Sequence, residues 1–136
     1  MRLSFVFALL LVTFATAGSA GPLEQPLPPG AKVLRAETVS IGPTGSSSTL
    51  IIPQRGTVRF DYEVEPGKTL RLGILTEAQF QEASAGHKIA GSPVMNITIS
   101  GSGSKSIVLD KGTYAIPILP NGSPDTRVSY RASYRR

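Results

Sequence analysis

From residue 32 onward, apolar and polar positions alternate in short runs separated by Gly, Pro, Asn and Ser clusters. The clearest run spans residues 57–65, where Val58, Phe60, Tyr62 and Val64 share one face and Thr57, Arg59, Asp61, Glu63 and Glu65 share the other. A period of two predicts a strand with one buried and one wet face. Leu70, Leu72 and Ile74 repeat the pattern after Pro66-Gly67. A two-residue turn there would set Glu63 opposite Leu70, a charge against a core position. Slipping by one residue reverses both faces. So either the connection has an odd residue count or the two strands belong to different sheets. Further strands are expected at residues 33–41, 49–52, 94–100, 106–109, 114–119 and 127–134, with turns at 42–48, 101–104 and 119–125. Asn121-Gly122 is a tight-turn dipeptide. The pattern predicts an all-β fold, an antiparallel β-sandwich of about seven to nine strands.

One segment breaks the strand pattern. Thr76 can cap a helix with Gln79 three residues on, which is a capping box, and Leu75 before the cap can pack on Phe80. Gly86 supplies a left-handed stop. A short helix is expected over residues 76–85, crossing one end of the sandwich with Phe80 and Ala83 toward the core.

The first 31 residues read differently. Met1-Arg2 precedes an apolar run at residues 3–14, followed by Ala15-Thr16-Ala17-Gly18-Ser19-Ala20. This is the three-part pattern of a secretory signal. Cleavage is expected after Ala17, with Ala20 the alternative, so residues 1–20 form a signal peptide. A membrane-spanning helix needs about 20 strongly apolar residues, and this run is shorter. Residues 21–31 carry Pro22, Pro26, Pro28 and Pro29 and form an extended Pro-rich spacer. Residues 32–136 are the sandwich domain.

Composition narrows the chemistry. The chain has 136 residues and no cysteine, which removes disulfides, thiolate metal sites and a Cys nucleophile. A domain of this size buries enough surface to do without such staples. The formal net charge is +5, or +4 once Arg2 is removed. That balance suits solubility or weak attraction to anionic surfaces, and it is too sparse for a specific nucleic-acid binder.

His87 is the only histidine, and no nucleophile motif lies near it. Asp61, Glu63 and Glu65 on one strand face could act as acid and base or hold a cation, but a solvated face with cross-strand ion pairs is the commoner meaning. Gly101-Ser102-Gly103-Ser104-Lys105 is followed by a strand rather than a helix, so it reads as a turn and not a phosphate loop. The C-terminal strand offers the most informative surface. Its period places Arg127, Arg131 and Arg135 on one face, with Arg136 closing the chain. Arginine forks suit carboxylates and phosphates. Against this stands the reading of a charged edge strand that discourages aggregation.

Residues 109–118 (LDKGTYAIPI) resemble a strand near the end of bacterial pre-peptidase C-terminal domains. The Asp110-x-Gly112-x-Tyr114 spacing resembles the tyrosine corner of immunoglobulin-like sandwiches. The succession Phe60-Asp61-Tyr62, residues 70–75 and residues 76–86 resembles the strand–strand–helix unit of Golgi-dynamics-like (GOLD-like) and related jelly-roll sandwiches. These resemblances imply a jelly-roll-like sandwich used for non-catalytic adhesion or protein contact, and they transfer no site residues.

The expected function is therefore a non-catalytic secreted or periplasmic module that binds a protein or a cell-envelope component and uses no cofactor or metal. One alternative is a carbohydrate- or polyanion-binding protein using Arg127, Arg131, Arg135 and Arg136 against an anionic envelope polymer. A small hydrolase using Asp61, Glu63 or His87 is another. No transmembrane segment is expected after processing.

Overall fold

The alternating runs form eight strands: β1 (Lys32–Ile41), β2 (Ser46–Ile52), β3 (Gly56–Val64), β4 (Thr69–Thr76), β5 (Met95–Ser100), β6 (Ser102–Leu109), β7 (Gly112–Pro120) and β8 (Thr126–Arg135). A helix, α1 (Glu77–Ser84), follows β4. The structure is a computed structural model that describes residues 26–122 and 125–136. The expected signal peptide and its two cleavage positions lie outside the described residues, as do the first five residues of the spacer.

The strands make two four-stranded antiparallel sheets, one in the order β1-β8-β3-β6 and the other β2-β7-β4-β5. β1 pairs with β8, β2 with β7, β3 with β6 and β4 with β5. The chain is thus one long hairpin, rolled so that successive pairs fall alternately into the two layers. This is a jelly-roll sandwich. β3 and β4 lie in different sheets. The register conflict at Pro66-Gly67 is resolved that way, and Glu63 is never set against Leu70.

The apolar faces predicted for β3, β4 and β8 are buried except for the half-buried Tyr62, while Asp61 on the expected wet face of β3 is buried as well. Val58, Phe60 and Val64 of β3 and Val128, Tyr130, Ala132 and Tyr134 of β8 meet Leu70, Leu72, Ile74, Ile116 and Ile118 of the opposite sheet. Tyr114 is buried and its Oη donates to the Asp110 carbonyl at 2.8 Å, closing the corner that the Asp-x-Gly-x-Tyr spacing suggested. At the β1/β2 side, a polar group spans the layers. The Tyr130 hydroxyl donates to Glu37, whose carboxylate also accepts from Arg35 Nε at 3.2 Å, and Ser48 Oγ lies 2.9 Å from Tyr130 Oη.

Three expectations need correction. Residues 46–48 belong to strand β2 and residues 102–104 to strand β6, and the reversal from β5 is made at Gly101 alone, whose φ of +59° suits glycine. α1 does not cross an end with its apolar side in the core. It packs on β4 and β7, with Phe80 half-buried and Ala83 exposed. Strand β8 is not an edge. It lies between β1 and β3, so its arginines cannot be an edge-guarding device.

Candidate functional site

The outer face of the β2-β7-β4-β5 sheet is concave. Its shape begins in the sequence of β7. Ile116 and Ile118 point into the core, while Ala115, Pro117 and Leu119 alternate with them and face outward. On β4, Arg71, Gly73 and Leu75 are the outward set. Pro117 cannot donate to a sheet ladder and is unusual in an interior strand. The β4–β7 pairing runs from Leu70 to Leu72 and resumes at Leu75, so it is interrupted where Pro117 stands across from Gly73. Gly73 adds no side chain there, and a Cβ at that position would sit 3.4 Å from Pro117 Cγ. The sheet surface is therefore hollow at this point.

Two adjoining depressions share Leu75, Pro117 and Leu119. One, of about 170 Å³, is bounded by Arg71, Gly73, Pro93, Met95 and Asn96. Arg71 Nη2 donates to Asn96 Oδ1 at 3.1 Å, placing a held guanidinium on an otherwise apolar rim. The other, of about 440 Å³, lies between the sheet and α1 and is walled by Phe80, Ala83, Gly45 and Ser47. Gly45 has a φ of +79°, and a Cβ there would lie 2.6 Å from Leu119 Cδ2, so only glycine lets the β1–β2 turn close beside Leu119.

The helix wall is fixed by its cap. Gln79 N donates to Thr76 Oγ1 at 3.2 Å, and Thr76 N donates to Gln79 Oε1 at 3.1 Å, the reciprocal pair of a capping box. Gln79 Nε2 then donates to the carbonyls of Ala90 and Ser92 at 3.0 and 2.9 Å. One buried side chain thereby anchors both the helix start and the segment leading to Pro93 at the smaller depression.

The arginine stripe is divided. Arg127, Arg135 and Arg136 are exposed. Arg131 is 4 % exposed, and its Nη2 donates to Asp61 Oδ2 at 3.0 Å. Asp61, 1 % exposed, also accepts from Arg59 Nε at 2.8 Å and from Ser104 Oγ at 2.6 Å through Oδ1. Arg131 is thus a structural cation and not part of an open basic surface. Burial acts to raise the Asp61 pKa, but the Ser104 hydroxyl, Arg131 and Arg59 outweigh it and hold the carboxyl below its ordinary value.

The remaining candidates are dispersed. Glu63 and Glu65 border a depression of about 230 Å³ with Arg127 and Ser129. Glu65 is committed there, accepting from the Arg127 N–H at 3.0 Å and pairing with Lys68 at 3.4 Å. His87 is exposed beyond the helix stop, and its N–H closes the last turn onto the Glu82 carbonyl at 2.9 Å. Among the described residues, no group of three or more His, Asp or Glu is placed to hold a metal ion. No described helix is long and apolar enough to cross a membrane.

Sequence reasoning singled out the arginines, of which Arg131 is buried against Asp61, and did not single out the hollow. A signal was present: residues 115–119 (AIPIL) are apolar at successive positions, which marks a strand with both faces covered or engaged.

No protein-family model matches the chain, and no curated protein matches it. Among solved structures, a CBM4 structure is 10% identical with a TM-score of 0.43, covering 78% of this chain and 79% of that one. A protein of the disulfide-linked pili of Bacillus endospore appendages is 11% identical with a TM-score of 0.43, covering 82% and 96%. The coat protein of Tobacco streak virus is 11% identical with a TM-score of 0.36, covering 82% and 90%.

Proposed function

We propose that the chain is a non-catalytic binding module that acts outside the cytoplasm after loss of its N-terminal signal, and that it engages a protein or envelope partner through the hollow on the β2-β7-β4-β5 sheet. The observation that carries this reading is the interrupted ladder at Gly73 and Pro117. It opens an apolar floor on a rigid sheet, with the Arg71–Asn96 pair on the rim. An apolar floor with few placed polar groups is the general form of a recognition site. The non-catalytic reading is supported by Asp61, whose two oxygens are both occupied by structural partners. The apolar run before Ala15-Thr16-Ala17 and the absence of cysteine support an exported chain in a bacterial envelope setting.

A second reading rests on the outer face of the other sheet. There Arg59 and Arg135 border a depression of about 120 Å³ with Ser106 and Ser133. Together with Arg127 and Arg136, they could meet an anionic envelope polymer or a carbohydrate.

Capture of the partner from an envelope fraction separates the two. Arg71→Glu is expected to reduce capture at least about tenfold, the loss of about 1.4 kcal/mol. The double variant Arg127→Ser/Arg135→Ser should capture as the parent does, and moderate salt should leave capture largely intact. Capture unaffected by Arg71→Glu would overturn the first reading. Capture lost in the double variant and with salt would establish the second.

A further inference from the structure

The four sheet edges are not treated alike. In the β1-β8-β3-β6 sheet, both edge strands aim charges at the inner side. Arg35 and Glu37 of β1 lie opposite the core residues Ala132 and Tyr130, and Lys105 of β6 lies opposite Phe60. β1 also carries a register shift between Val33 and Arg35. Inward charges and bulges are devices that stop an edge from accepting another strand.

The other sheet lacks these devices. β2 reads Ser46-Ser47-Ser48-Thr49-Leu50-Ile51-Ile52, with no charge, proline or glycine, and it pairs with β7 without a shift. Among the described residues, its only strand partner is β7. Its outward side chains are Ser47, Thr49 and Ile51, and Ile51 is 66 % exposed, the highest among the exposed large hydrophobic residues.

We propose that β2 is a self-association strand, pairing antiparallel with β2 of a second copy of this chain about a twofold axis. Full overlap of Ser46–Ile52 with its own copy fixes the register, because the midpoint is Thr49. Thr49 then faces its symmetry mate, and Ser47 faces Ile51 of the second copy. Directly opposed residues lie on the same side of a sheet, about 5 Å apart. Ser47 borders the larger outer depression with Phe80, Leu75 and Leu119. The pairing therefore delivers the second copy's Ile51 to the rim of an apolar hollow of about 440 Å³, and the symmetry does the same in reverse. The exposed isoleucine and the hollow that receives it are complementary parts of one surface, as an isologous twofold contact requires. β2 itself contributes no charge to the axis. The β5 edge has no equivalent, since its outward residues Asn96, Thr98 and Ser100 are all polar. The smaller depression with Arg71 stays open in the pair, so the proposed partner site is doubled rather than blocked.

The absence of cysteine makes the test clean. Protein recovered from cells expressing the full chain is measured by light scattering over a concentration series. The mass should double as concentration rises, and added salt should not reverse this. Under mild oxidation, Thr49→Cys should form a covalent dimer, while Thr98→Cys on the β5 edge should not. Ile51→Lys should raise the dimer dissociation constant about thirtyfold, as loss of an interface hot spot does, with an unchanged circular-dichroism spectrum. A mass of one chain at every concentration would overturn the proposal, including the case in which β2 takes a strand from a different protein. So would a dimer that tolerates Ile51→Lys, or equal cross-linking through Thr49→Cys and Thr98→Cys. Arg71→Glu should leave the dimer intact, so that failure of partner capture and failure of self-association can be told apart.

Discussion

The Asp61 carboxylate is almost wholly removed from water, yet it receives two guanidinium groups and a hydroxyl. A buried pair of this kind adds little net stability over apolar residues of the same shape, but removing one partner strands the other charge at a cost of about 3–5 kcal/mol. Asp61→Asn should therefore destabilise the protein toward the lower end of that range in urea unfolding at neutral pH. The double change Asp61→Leu/Arg131→Met should recover most of the loss. The pH dependence has a definite sign. Burial works to raise the Asp61 pKa, but Ser104, Arg131 and Arg59 lower it overall, so the folded value lies below the ordinary carboxylate value. The stabilising contribution is then complete above the unfolded pKa of about 3.9 and is lost as pH falls through the depressed folded value. Parent stability should drop over that acid window, and Asp61→Asn should show a shallower fall. Equal slopes would mean that folding leaves the Asp61 pKa where it is in the unfolded chain. At this scale, the alternation placed Arg127, Arg131 and Arg135 on one face correctly. It could not say which of the three is covered, because that depends on Asp61 from a strand 70 positions away in the chain.

The helix was legible because its signals are local. Thr76 and Gln79 stand at the spacing of a reciprocal cap, and the structure makes both bonds. The face on which α1 packs was not legible, since Phe80 and Ala83 line a hollow over an outer sheet surface whose apolar character comes from Pro117 and Leu119 of a distant strand. The two cap residues separate two jobs. Thr76→Ala removes one capping acceptor and should cost about 1 kcal/mol. Gln79→Ala removes the other half of the cap and also the bonds to the Ala90 and Ser92 carbonyls. Its global cost should be about 1–2 kcal/mol, because two further neutral hydrogen bonds are lost. Amide hydrogen exchange over residues 86–94 should accelerate in Gln79→Ala and stay near the parent rate in Thr76→Ala. Matching exchange in the two variants would show that the segment is held by something other than Gln79.

At the scale of the whole molecule, the two layers could be reasoned from the period, and register narrowed Pro66-Gly67 to an odd connection or a change of sheet, while the choice between these and the strand order could not be reasoned. Pairing β1 with β8 joins the two ends of the domain, and no local pattern announces a contact that distant. The consequence is greatest for β8. An edge strand can be lost with its neighbours still paired, but β8 has β1 on one side and β3 on the other. It also supplies Val128, Tyr130, Ala132 and Tyr134 to the core and Arg131 to Asp61. Removing residues 126–136 therefore separates β1 from its sheet, opens one wall of the core and leaves Asp61 buried without its guanidinium partner. Burial of each large apolar side chain stabilises by about 1.5–3 kcal/mol, so the loss of Val128, Tyr130 and Tyr134 alone rivals the total stability of a domain this size. A chain ending at Asp125 should show no cooperative unfolding transition by circular dichroism. A sharp transition in that truncated chain would mean that β3 and β6 can form a layer without β8.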